Sequence, residues 1–260
     1  MTSFSNADTH AANGRLPNVL IVGAQKSGTT WLHNSLGKSA RVFATAQKEL
    51  NFFNKKDPTA HLEAYRKNFP DGAEYYYFLE STPHYFRLPF ERGDVALNIQ
   101  KILGAPKLIT LFRNPIERYE SAYIHHMMRE RFPYNAEISE ICDDFNMLSL
   151  GKYAEITRHW QGIFPDLGLF FYDDIQRDPM RLVTRVMAFL GLENDIARSA
   201  IAFRTNDKSI KVKTLDSVAD WQGMPTCTPD LRRKLRDYYR DDILDLQTLS
   251  GRDLSHWLDL

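Results

Sequence analysis

Apolar residues along this chain fall into short, nearly unbroken runs separated by amphipathic stretches. Asn18–Gly23 (NVLIVG), Tyr75–Leu79 (YYYFL), Lys107–Phe112 (KLITLF) and Leu167–Tyr172 (LGLFFY) read as strands buried on both faces. Between them the apolar positions recur at helical spacing. Thr30–Lys38 carries Trp31, Leu32, Ser35 and Leu36 on one side, and Val95–Leu103 follows Asp94 as an N-cap. Pro115 to about Arg129, Pro179–Leu190 closed by Gly191, and a long Pro229–Leu249 segment complete the predicted helices. Strands alternating with helices predict βαβ units, hence an α/β fold with a mainly parallel sheet and helices on both faces. Such sheets bind ligands beyond the carboxyl ends of their strands. Function is therefore expected at Gly23, Glu80, Arg113 and Asp173, each just past a predicted strand.

The organisation is simple. Residues 1–16 are polar and hold no apolar core of a secretory signal, so a disordered tail is expected there, with a single domain over 17–260. No apolar run approaches the roughly 20 residues that span a bilayer, and the expected setting is the cytoplasm. The 33 Lys+Arg balance the 33 Asp+Glu, which argues against a protein that coats nucleic acid or anionic membrane through a bulk positive field. A local basic pocket is compatible with that neutral sum. Two cysteines, Cys142 and Cys227, are too few for a disulfide scaffold and lack metal-ligand spacing.

The turn after the first strand carries the first chemistry. Gly23-Ala-Gln-Lys26-Ser27-Gly28-Thr29-Thr30 leads straight into a helix. Glycines let backbone wrap an anion, and the helix start offers unbonded N–H groups and the positive end of its dipole. The loop matches the G-x4-G part of a Walker A motif and then departs from it. Thr29-Thr30 stands where Lys-Ser/Thr belongs, and Lys26 lies inside the loop. The strand Lys107–Phe112 ends in Arg113, where many nucleotide hydrolases place a Mg²⁺-holding Asp. A cation there suits a second anion. Ser121, about two helical turns beyond the Asn114 cap, returns to the same helix face and could share that anion with Arg113. An Arg paired in a salt bridge and a Ser packed on its helix are the structural alternatives.

With these residues in view, the chain resembles the sulfotransferases that use 3′-phosphoadenosine-5′-phosphosulfate (PAPS), in particular compact bacterial members and the heparan-sulfate-type branch. Lys26-Ser27-Gly28-Thr29-Thr30-Trp31-Leu32 is similar to their 5′-phosphosulfate loop. Arg113-Asn-Pro-Ile-Glu-Arg-Tyr-Glu-Ser121 looks like their 3′-phosphate motif. Lys48-Glu49-Leu-Asn51-Phe52-Phe53 resembles the segment with the catalytic glutamate. Glu80-Ser-Thr-Pro-His-Tyr85, Tyr172–Pro179 and Gly251–Trp257 extend the likeness over nearly the whole chain after the tail. The likeness implies a P-loop-like three-layer fold and PAPS as co-substrate, with no metal.

It also implies roles. Lys26 would follow charge onto the leaving phosphate, while Ser27, Gly28, Thr29, Thr30 and Trp31 hold the 5′ side. Arg113 and Ser121 would read the 3′-phosphate, with Lys208, Lys211 and Lys213 of a late basic loop as further donor contacts. Glu49 would be the general base, with His84 its rival; His33, His125, His126 and His159 match no role. Two departures, Ser81 where the heparan-sulfate enzymes carry Lys and Asn51 where a His often stands, weigh against a glycosaminoglycan acceptor. So does the neutral total, which favours a small acceptor over a sulfated polymer. A P-loop kinase and a non-catalytic nucleotide-binding module are the rival functions.

Overall fold

The structure, a computed structural model, describes residues 16–70, 74–91, 93–203 and 221–259. Its centre is a five-stranded sheet of β1 (Val19–Gly23), β2 (Val42–Ala44), β3 (Tyr77–Ser81), β4 (Lys107–Phe112) and β6 (Gly168–Phe171), in the order β2-β3-β1-β4-β6. Every pairing in it is parallel. Two further short strands, β5 (Glu137–Ile138) and β7 (Thr226–Cys227), pair with each other apart from the main sheet.

The three-layer arrangement follows from the alternation within the apolar runs. Leu20, Val22, Leu108 and Phe112 point into a core shared with α3 (Val95–Leu103), α4 (Pro115–Met128), α5 (Tyr153–Ile163) and α8 (Pro229–Ser250). Val19, Ile21, Ile109 and Leu111 point the other way, onto α1 (Thr29–Leu36) and α7 (Pro179–Phe189). Successive residues of one strand thus feed opposite layers, which is why the runs are apolar throughout. The short α2 (Leu62–Arg66) and α6 (Asp173–Arg177) lie in the connections.

Helix ends follow local chemistry. Asp94 caps α3 by accepting from Ala96 N at 2.9 Å, and Asn114 caps α4 by accepting from Ile116 N at 3.0 Å, with Pro115 in the first turn. Gly251 ends α8 in the left-handed region. Some boundaries differ from the sequence expectation. β3 starts at Tyr77 rather than Tyr75, because Tyr76 is 68% exposed and the Tyr76 and Tyr77 amides both donate to the Arg41 carbonyl. β2, α2, α5 and α6 were not expected: β2 has only three residues at the sheet edge, and α5 is polar on its outer face.

Candidate active site

β1, β3 and β4 are neighbours, so the loops leaving their carboxyl ends meet above the sheet. The β1 loop is tied down on both sides: Ala24 N donates to Leu111 O at 3.0 Å, and Phe86 N donates to Val22 O at 2.8 Å. Gly28 has φ +85°, and a Cβ there would come within 2.8 Å of Tyr172 and 2.9 Å of Ile175. Only glycine fits both the backbone and the space. Gly28 caps α1 without a side-chain bond, so the first N–H groups of the helix stay available to an anion. Lys26 also lies in the left-handed region, at φ 66°. Ser27 is completely buried and its Oγ has no partner, while Thr29 and Trp31 are nearly buried. Trp31 packs 6.4 Å from Phe203, the last described residue before the gap at 204–220. Lys208, Lys211 and Lys213 fall in that gap, outside the described residues.

Arg113 ends β4 as expected, but not as a solitary cation. Its Nε and Nη2 both lie 2.9 Å from Glu117 Oε2, and its guanidinium stacks 4.9 Å from the Tyr172 ring. The pair orients the guanidinium over the same tyrosine that limits Gly28. Ser121 is nearly buried on α4. The β1 loop and Arg113 therefore share a framework: Tyr172 lies against both Gly28 and the Arg113 guanidinium.

The β2–β3 connection carries Lys48 and Glu49. Glu49 is exposed over 39% of its side chain and pairs with Lys48 Nζ at 3.4 Å. Its loop hangs on β3 and the turn beyond it. Asn51 N donates to Thr82 Oγ1 at 3.2 Å and Phe53 N to Tyr85 Oη at 3.3 Å. Both acceptors in turn donate to Glu80 Oε1, at 2.7 and 2.8 Å, and Tyr65 donates to Oε2 at 2.5 Å. Burial raises the Glu80 carboxyl above its ordinary 4.5, and the three donors pull it back. Glu80, expected to lie at the functional strand end, is the post from which the Glu49 loop is suspended.

Three histidines surround the site in neutral form. Burial, then the Arg87 charge, lowers His84 to about 4. His126 on α4 is lowered to about 4 by burial and by the charges of Arg131, Lys26 and His84, so α4 faces the loops of β1 and β3. His33 is held between Ser81 Oγ at 2.7 Å and the Thr45 carbonyl at 3.1 Å, and burial lowers it to about 4. Neutral imidazoles are available as hydrogen-bond partners, and their low basicity makes them poor proton acceptors near neutrality. Alongside α1, a cleft of about 420 Å³ is lined by Thr30, His33, Asn34, Lys48 and Phe203. A larger open depression of about 630 Å³ around Lys107, Asp166 and Arg185 lies at the amino ends of β4 and β6, away from these loops.

Asp173 ties the C-terminal segment to the end of β6. Its Oδ2 takes bonds from His256 Nε2 at 2.7 Å and Trp257 Nε1 at 3.0 Å, and Asp174 takes a two-pronged grip from Arg252 at 2.6 and 2.7 Å. Asn114 Nδ2 also donates to the Trp257 carbonyl at 3.2 Å. The C-terminal Gly251–Trp257 segment is thereby locked across the ends of β4 and β6. Among the described residues no group of His, Cys, Asp and Glu is placed to hold a metal ion.

Sequence reasoning missed Arg118, Tyr153 and the hub role of Glu80. An arginine among the buried positions of α4 was the available signal for Arg118; Glu80's partners are scattered over positions 65, 82 and 85 and left none.

The comparisons agree with this geometry. A family model described as "Sulfotransferase domain" matches residues 16–247. The human bifunctional heparan sulfate N-deacetylase/N-sulfotransferase 1 is 26% identical over 278 residues, covering 94% of this chain and 31% of that protein. The mouse heparan sulfate glucosamine 3-O-sulfotransferase 3A1 is 26% identical over 258 residues, covering 92% and 64%. The chain thus spans about a third of the bifunctional relatives. Among solved structures, a sulfotransferase from Alicyclobacillus acidocaldarius superposes with TM-score 0.71 at 22% identity, covering 93% of this chain and 98% of its own. A mouse sulfotransferase complexed with PAP gives TM-score 0.51 at 16% identity, covering 90% and 88%. With the family model spanning all but the ends, the chain belongs to the sulfotransferase family.

Proposed function

We propose that this protein transfers the sulfuryl group of PAPS to a hydroxyl or amine of a small acceptor. The observation that carries this reading is the β1 loop: a glycine-cradled anion site at an uncapped helix start, with Lys26 inside it. Relatives named as sulfotransferases, one solved with PAP, support the same donor. The loop amides and the Thr29 and Thr30 hydroxyls hold the 5′-phosphate, and Lys26 neutralises charge that develops on it as the bond to sulfur breaks. Arg113 and Ser121 select the 3′-phosphorylated nucleotide by charge-assisted hydrogen bonds. Glu117 competes for the same guanidinium and must share it with the ligand.

Glu49 takes the acceptor proton. Its exposure leaves it open to an acceptor, and its loop is fixed from behind by Thr82 and Tyr85. His84 is the rival base, its imidazole lowered to about 4 by burial and the Arg87 charge. The acceptor approaches from the open side of that loop, and a cytoplasmic setting belongs to the same reading. A balanced total charge and the replacements at Ser81 and Asn51 favour a small acceptor over the glycans named for the relatives.

The test is Glu49→Gln in a labelled-sulfate transfer assay. Turnover falls at least about 100-fold, while affinity for adenosine 3′,5′-bisphosphate stays within about twofold. Unchanged turnover would remove Glu49 from the mechanism and bring His84 forward.

A further inference from the structure

α4 carries a charge on its buried face. Arg118 is fully buried, and its Nη2 donates to the Met147 carbonyl. Its Nε and Nη1 have no partner, and no carboxylate among the described residues pairs with it. Two more buried donors lie beside it without partners. The Tyr153 hydroxyl, at the start of α5, faces Ser27 and the Arg113 main chain with the Arg118 charge within reach, yet completes a well-formed bond to neither. Ser27 Oγ, in the phosphate loop, is equally buried and unpartnered. Tyr239 closes the opposite side, its hydroxyl spent on the Leu148 carbonyl at 2.7 Å.

A guanidinium can only donate, and burying it without a counter-charge is costly. Tyr153 links that charge to the loop between β1 and α1, since it interacts with both Arg118 and Ser27. An arginine that served packing alone would be expected to find a carboxylate or to be replaced by an apolar side chain of similar volume.

We propose that Arg118 supplies a fixed positive charge to the donor site from beneath. Its counter-charge is the anionic group seated in the Lys26–Thr30 loop, and Tyr153 and Ser27 connect the two. Arg118 is a positioning residue: it does not touch the donor, and it adds a second cation to the loop's own Lys26. Arginine suits the task because it keeps its charge when buried, whereas lysine releases a proton readily under the same conditions. The inference rests on the PAPS reading above and extends it to the interior of the protein.

The test compares the full-length wild type, Arg118→Met and Arg118→Lys by calorimetry with adenosine 3′,5′-bisphosphate and with uncharged adenosine. Arg118→Met should lose about tenfold or more in bisphosphate affinity, with adenosine affinity within about twofold of wild type. Arg118→Lys should restore most of the bisphosphate affinity at pH 6. Its affinity relative to wild type should then fall about threefold or more towards pH 10, as the buried ammonium gives up its proton. The tyrosines facing position 118 do not obscure this profile: burial raises the Tyr153 and Tyr239 hydroxyls above their ordinary 10.

An unchanged ratio of bisphosphate to adenosine affinity in Arg118→Met would overturn the proposal. If that variant does not fold, a pH-independent ratio of Arg118→Lys to wild type would do the same. Absence of bisphosphate binding to the wild type would instead overturn the donor reading, and this inference with it.

Discussion

Glu80 offers a sharp test of how the site is held. The carboxylate is fully buried and accepts from Tyr65, Thr82 and Tyr85 at 2.5, 2.7 and 2.8 Å. A hydrogen bond to a charged group contributes about 1.5–3 kcal/mol net, and an orphaned buried donor costs about 1–3 kcal/mol. The cost of burying the charge offsets part of this. Glu80→Gln keeps a carbonyl for Thr82 and Tyr85 but sets an amide N–H₂ against the Tyr65 hydroxyl, and should cost about 2 kcal/mol. Glu80→Ala strands three hydroxyls beside a cavity and should cost about 4–5 kcal/mol.

The assay is urea denaturation at several pH values. The sign of the pH effect follows from the raised carboxyl: the folded state holds this proton more tightly than the unfolded chain. Relative to Glu80→Gln, wild type is therefore most stable below the ordinary 4.5 and loses that part as pH rises through the folded value. Because Thr82 and Tyr85 also hold the Glu49 loop, Glu80→Gln should lower turnover about tenfold with donor affinity unchanged. A Gln variant within about 0.5 kcal/mol of wild type at every pH, with full turnover, would refute the hub account.

Gly28→Ala places a Cβ at φ +85° and 2.8 Å from Tyr172, so it should cost about 2–4 kcal/mol in thermal unfolding and weaken bisphosphate binding in calorimetry. Equal stability and affinity would show that the loop yields without strain. His33 lies near 4, below its ordinary 6.5, so its contribution is fully present above 6.5 and is lost as pH falls towards 4. That loss amounts to about 3 kcal/mol, and His33→Asn should flatten the acid limb of the denaturation curve. An unaltered limb in that variant would assign the acid sensitivity to other groups.

The sheet was legible because β1, β4 and β6 are buried on both faces and leave apolar runs, and because Asp94, Asn114-Pro115 and Gly251 mark helix ends by local chemistry. β2 was not, since three residues at an edge carry too little pattern to separate them from a loop. The turn after β1 was equally readable, Gly28 being demanded by its backbone shape. Relationships across the sheet left no linear trace. Nothing between Tyr65 and Tyr85 announces that both serve one carboxylate, nor that Asp173 spends itself on His256 and Trp257. Glu49 lies between these cases: the motif singled it out, but its exposure depends on how the β2–β3 connection folds back, which spacing does not encode.

The central claim is that the loop and Arg113 hold a 3′-phosphorylated adenine nucleotide as a sulfuryl donor. Calorimetry of the wild-type chain with adenosine 3′,5′-bisphosphate in metal-free buffer and, separately, with Mg-ATP tests it most directly. Tight binding of the bisphosphate, with Mg-ATP at least about 100-fold weaker, is the predicted result; tight binding of Mg-ATP alone would contradict it.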